Sequence, residues 1–156
     1  MIYQLYLYQQ SIKIMEKLSD IIFYSIEKSI KSYRQFAQKN ISKAGIEITI
    51  DQWLVLKTIE EDNSTPQKDI ASKTFKDVAS ITRIIELLVQ KGYLSRKSKS
   101  EDRRRFELTL TDEGNDIIKK MQPYIQINRA QALKNITDEE IKNLHSTLSK
   151  IISNIN

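Results

Sequence analysis

The chain has 156 residues, 40% of them hydrophobic, enough for one domain or one compact module with extensions whose core a partner helps to complete. Three glycines and two prolines leave few breaks, so long helices and a mainly α class are expected; the absence of cysteine excludes disulfides, thiolate metal sites and thiol-based redox sensing. The formal charge is +5 and it is local: Lys68 to Arg105 holds eleven Lys and Arg against five Asp and Glu, the footprint of a polyanion or an acidic surface.

The opening MIYQLYLYQQSIKI is apolar and aromatic, but Gln4, Gln9 and Gln10 interrupt it and no basic residue precedes it, so it reads poorly as a signal peptide. Residues 1–14 are read as an N-terminal extension, helical or disordered, and Met15 as an alternative start. No run approaches the roughly 18 apolar residues of a membrane span, and a cytoplasmic protein with no membrane partner is expected.

Apolar residues at Met15, Leu18, Ile22, Ile26, Ile30, Tyr33, Ala37 and Ile41 form one helical stripe, which predicts a long first helix within a segment 15–46. Thr49 and Gln52 make a capping box in front of a second helix that runs to about Asp62. Thr65 is the expected cap of a short third helix, with Pro66 at its first position. The next helix carries Ile81, Ile84, Ile85 and Leu88 on one face, with Ala79, Thr82, Arg83, Glu86 and Gln90 opposite, and stops at Gly92. YLSRKSK and RFELTLT alternate as two antiparallel strands around the loop SKSEDRR. Thr111 caps a fifth helix with Pro123 as a kink, and the Thr137/Glu140 box opens a last helix with Ile141, Leu144, Leu148, Ile151 and Ile155 on one stripe.

The order helix, short helix, helix, strand, loop, strand is a helix-turn-helix with a β-hairpin wing, flanked by two amphipathic helical regions that pack either on each other or between two chains. The second helix of the pair would enter the major groove by its N-terminal end, and the wing tip, with Lys97, Lys99, Arg103, Arg104 and Arg105, would meet phosphates or a narrow minor groove.

These motifs, ITIDQWLVL, VASITRIIELLVQKGYLSR and above all DRRRFELTLTDEG, resemble the MarR (multiple antibiotic resistance regulator) family of transcription factors over roughly residues 15–155. The resemblance implies a winged helix-turn-helix over 47–113, an N-terminal dimerisation helix over 15–46 and C-terminal dimerisation helices over 114–156. It further implies a homodimer on double-stranded DNA at a pseudo-palindromic operator, most often as a repressor, with release by a small aromatic or anionic effector. Ser80, Thr82 and Arg83 fall on the family's recognition-helix positions. Asp102 and Arg104 fall on its wing pair, the arginine in the minor groove and the aspartate orienting a basic neighbour.

Blander readings stand beside these. The arginine cluster could be a solvated turn paired with Glu101 and Asp102, and Arg83 could pair with Asp77 or Glu86 on its own helix. His145, the only histidine, is read as a surface or packing residue, and no metal or cofactor is expected. Tyr24, Tyr33, Phe36 and Trp53 are core candidates first and pocket-lining candidates second. No catalytic set appears, so an enzyme is not expected. The competing function is a winged-helix module that docks on an acidic protein or a membrane surface, which would favour an apolar patch where Ala79, Ser80, Thr82 and Arg83 stand.

Overall fold

The computed structural model describes residues 17–99 and 102–156, with side chains described throughout except at positions 98, 99 and 102–106. The extension 1–14, and Met15 with it, lies outside the described residues. Helix α1 (Ile22–Lys43) begins later than its stripe suggests, after a 3-10 turn at Leu18–Asp20. Backbone bonds close that turn, Asp20 N–H to Lys17 O at 2.8 Å and Ile21 N–H to Leu18 O at 3.3 Å, and the Ser25 hydroxyl donates to the Ser19 carbonyl at 3.4 Å, a side-chain bond to the backbone that competes with helix. Ala37 and Ile41 bury the C-terminal end of the α1 stripe, whereas Ile22, Phe23 and Ile30 are exposed.

Helix α2 (Ile50–Glu61) opens on the expected capping box, with Gln52 N–H donating to Thr49 Oγ1 and Thr49 N–H to Gln52 Oε1, both at 3.1 Å. It sends Trp53, Val55, Leu56 and Ile59 into the core. Helix α3 (Gln67–Lys73) corrects the expected cap by one residue. Pro66 is the extended residue before the helix, and the Thr65 hydroxyl donates instead to Asp62 Oδ2 at 3.0 Å. Asp62 also takes the Ser64 hydroxyl and N–H, bonds that hold its carboxyl below the usual carboxylate range; the turn outcompetes the cap for Thr65.

Helix α4 (Val78–Gln90) buries Ile81, Ile85 and Leu88, and the hairpin follows: β1 (Leu94–Lys99) pairs antiparallel with β2 (Asp102–Leu110). The register runs from Leu94 opposite Leu110 to Ser98 opposite Phe106, and a bulge between Ser98 and Lys99 sets Lys99 opposite Asp102. The strands therefore extend well into the segment read as loop. Its Ser, Lys and Arg residues give no apolar alternation from which a strand could be recognised. Leu94 and Leu108 are buried and Glu107 and Thr109 exposed, as the alternation requires.

The helix-turn-helix α2–α3–α4 and the wing complete the mainly α winged architecture expected from the sequence. Helix α5 (Asp112–Ala132) then packs Ile117, Ile118, Met121 and Ile125 into the same core, with Pro123 inside the helix. The Thr111 hydroxyl accepts from Gly114 N–H at 3.0 Å and donates to the Gly92 carbonyl at 2.6 Å, so the base of the wing is tied to the start of α5. A Cβ on Gly114 would collide with the Tyr93 backbone carbonyl, a contact no side-chain rotation relieves. Gly114→Ala should therefore destabilise the fold by about 1–3 kcal/mol, read as a lower denaturant midpoint at unchanged slope.

Three of the described helices end in the same pair of hydrogen bonds, in which a left-handed residue lets its own N–H and the next one reach back to the last turn. After α1, Gly45 (φ 69) donates to Ser42 O and Ile46 to Ile41 O; after α4, Gly92 (φ 74) donates to Val89 O and Tyr93 to Leu88 O. After α3 the same turn has Phe75 (φ 55) donating to Ser72 O and Lys76 to Ala71 O. For a residue with a Cβ that conformation costs about 1–2 kcal/mol. Phe75 is 95% exposed, so no burial offsets the cost.

The last helix, α6 (Asp138–Ile155), has its predicted Thr137/Glu140 capping box but buries none of its residues. Leu144 and Ile155 are exposed on its stripe, as is Ile152 beside it, while Ile141, Leu148 and Ile151 are half-buried. A capped 18-residue amphipathic helix gains most of its stability by burying that stripe, and the described residues leave much of it open.

Candidate nucleic-acid interface

Helix α4 is anchored by Ile81, Ile85 and Leu88, which fixes what it turns outward: Ala79, Arg83, Glu86 and Gln90 are all exposed. Its start is capped by Asp77, whose Oδ1 accepts from Ser80 N–H and whose Oδ2 accepts from the Ser80 hydroxyl, both at 2.7 Å. The Ser80 hydroxyl and N–H hold the Asp77 carboxyl below the usual range. Because the folded-state value is the depressed one, the cap is fully in place above the ordinary carboxylate range and weakens only as pH falls through the lowered value.

Of the four recognition-helix residues singled out in the sequence, Ala79 and Arg83 face solvent without reservation. Among the described residues Arg83 has no hydrogen-bond or ion-pair partner. Both oxygens of Asp77, one of its two candidate partners, are taken by Ser80. Ser80 and Thr82 are half-buried and already engaged. The Thr82 hydroxyl donates to the Val78 carbonyl at 2.8 Å and accepts from Gln67 Nε2 at 2.5 Å, which braces α4 against the start of α3. Sequence spacing put Thr82 on the outward face; the Gln67 bond shows it to lie at the edge of that face.

The sequence reading missed a charged brace behind the helix-turn-helix. Asp51, in the first turn of α2, accepts from Arg34 of α1 at Oδ1 and pairs through Oδ2 with Lys76 Nζ at 3.1 Å. Lys76 lies between Phe75 and the Asp77 cap, so the turn leading into α4 is tied to the first long helix through one carboxylate. Composition counts these charges but gives no clue to their pairing, because Arg34, Asp51 and Lys76 lie far apart in sequence. Beside the brace is a recess of about 420 Å³ lined by Arg34, Gln38, Lys39, Ser42, Thr49 and Asp51, among others. Tyr24, Tyr33, Phe36 and Trp53 do not line it, and Trp53 is buried in the core.

In the wing, Lys97 is exposed opposite Glu107. The strands carry Lys99 and Asp102–Arg105 at the far end of the hairpin. The side chains of Lys99, Asp102, Arg103, Arg104 and Arg105 lie outside the described set. His145 is exposed on α6, and no cluster among the described residues could hold a metal ion.

Residues 48–106, from the approach to α2 into the wing, match the model of the MarR family. Over that segment the chain is similar to the MarR family. A curated relative, the HTH-type transcriptional regulator SarZ of Staphylococcus haemolyticus, is 26% identical over 140 residues, covering 88% of each chain. Two solved structures share the fold. A probable transcriptional regulator from Pseudomonas aeruginosa aligns with a TM-score of 0.75 at 24% identity, covering 86% of this chain and 99% of that one. Bordetella bronchiseptica BpsR, whose DNA binding is regulated by 6-hydroxynicotinic acid, aligns with a TM-score of 0.75 at 20% identity, covering 83% and 97%. No described helix is long and apolar enough to cross a membrane.

Proposed function

We propose that this protein is a sequence-specific transcriptional regulator that binds a pseudo-palindromic operator as a homodimer and represses by occluding the promoter. The observation that carries the reading is the outward face of α4. It is capped at Asp77, braced at Gln67 and Asp51, and presents Ala79 and an Arg83 with no partner among the described residues beside a wing rich in cations. A small residue at the leading turn lets a helix approach base edges, and a guanidinium one turn on can bond guanine or a phosphate. The second copy follows from α6, whose open apolar stripe has a self-complementary partner in another α6.

The recess at Arg34 and Lys39 supports an anionic effector, as in the relative that responds to 6-hydroxynicotinic acid. An anion that takes Arg34 would draw it from Asp51 and so loosen the hold on Lys76, ahead of α4. Release of DNA would then follow from differential affinity for two arrangements of that brace.

The test is duplex retardation across a salt series. With six or more phosphates neutralised, affinity should fall by roughly a thousandfold or more between about 50 and 200 mM salt. Binding that stays flat over that range would mean the basic segment does not meet a nucleic-acid backbone.

A further inference from the structure

The turn after α3 carries a cost that the fold does not recover. Gly45 and Gly92 occupy the left-handed position in the two equivalent turns, and Phe75 occupies it here, 95% exposed. A glycine would close the same hydrogen bonds without strain, and nothing among the described residues covers the ring, so what favours phenylalanine here is sought in a partner. Its position indicates what that is. Phe75 precedes the Asp77 cap by two residues, and the next exposed apolar group, Val78 (50%), stands at the first position of α4 with Ala79 beside it. Apolar groups thus flank the Asp77 cap, and the segment 68–86 around them carries Lys68, Lys73, Lys76 and Arg83 against Asp69, Asp77 and Glu86, with Lys76 paired to Asp51.

We propose that Phe75 is a specificity-determining DNA contact whose ring packs against thymine C5 methyl groups in the major groove where α4 enters it. The assignment rests on the DNA-binding reading above. Thymine is the only base that presents a methyl group in that groove, and phenylalanine is among the side chains that read it. A polyanion studded with methyl groups suits an exposed aromatic ring on a basic segment better than an apolar protein surface does. The Lys76–Asp51 pair holds the adjoining backbone, so the ring is aimed by the turn itself and needs no packing beneath it.

The experiment selects bound sequences from two random duplex pools, one containing thymine and one with deoxyuridine throughout in its place, using the wild-type chain and Phe75→Gly. The wild type should enrich thymine at one position in each half-site and lose about fourfold in affinity for each methyl group removed. Phe75→Gly should melt about 2–4 °C higher, because glycine is unstrained at this φ. It should keep the salt-dependent binding of random duplex and treat thymine and uracil alike.

A variant that still distinguishes the two pools as the wild type does would overturn the assignment and mark the apolar tip as a protein contact. A wild type that enriches a sequence but ignores the methyl group would also overturn it, leaving the regulator reading intact. A wild type that binds neither pool would remove that reading, and the assignment with it.

Discussion

Replacing both Leu144 and Ile152 with aspartate should turn a dimer into a monomer on size exclusion and lower operator affinity by a hundredfold or more. Both side chains are exposed in the single chain, so the winged domain loses no internal contact. In the dimer each would be buried, at about 1.5–3 kcal/mol per side chain, and the carboxylates would add the cost of desolvating unpaired charge. Two winged domains bound through one dimer gain from effective concentration, on the order of a hundredfold to ten-thousandfold, and the monomer forfeits it. Circular dichroism of the variant should show the winged domain still folded. A variant of unchanged size and unchanged affinity would mean that the α6 stripe is not the dimer contact.

The second large effect is expected from the arginines. Arg83→Ala and Arg104→Ala should each weaken operator binding by about 1–3 kcal/mol per half-site, the range of a good base-level contact, and in a dimer each substitution acts twice. The two should differ in kind. Arg83 stands on the exposed face of α4 with no partner among the described residues, so its loss should reduce operator binding more than binding to random duplex. Equal losses on the two duplexes would make Arg83 a phosphate contact only. Arg104, assigned to the minor groove by the family resemblance, should matter most on narrow A·T-rich flanks. Unchanged affinity there would move the groove contact to Arg103 or Arg105.

The parts of the fold that depend on local chemistry were legible in the sequence. Thr49 with Gln52, Thr137 with Glu140, Thr111, and the glycine after α4 each declare a helix boundary through bonds made within a few residues, and all four appear as read. The misreadings arose where two local options competed. Thr65 can cap a helix or close a turn, and the Asp62 carboxylate took its hydroxyl. The Met15–Ile41 stripe is periodic throughout, yet a 3-10 turn at Leu18–Asp20 comes before α1 begins.

The candidate site divides the same way. Helical periodicity sufficed to place Ala79 and Arg83 outward. It could not show that Thr82 braces α4 against Gln67, or that Arg34, Asp51 and Lys76 meet, because those contacts join residues remote in sequence. Phe75 is not legible for a different reason: a lone aromatic in a turn has no periodicity, and only its exposure and backbone conformation in the fold separate it from a core residue.

The central claim is that α4 and the wing face the DNA together, twice, across a two-fold axis formed by the long terminal helices. Hydroxyl-radical footprinting on a duplex selected from a random pool measures this most directly. Two protected backbone segments on one face of the duplex, about 34–36 Å or a multiple of that apart, are expected, each with a further protected minor-groove stretch beside it where a wing sits. A single protected segment, or uniform protection with no preferred sequence, would contradict it.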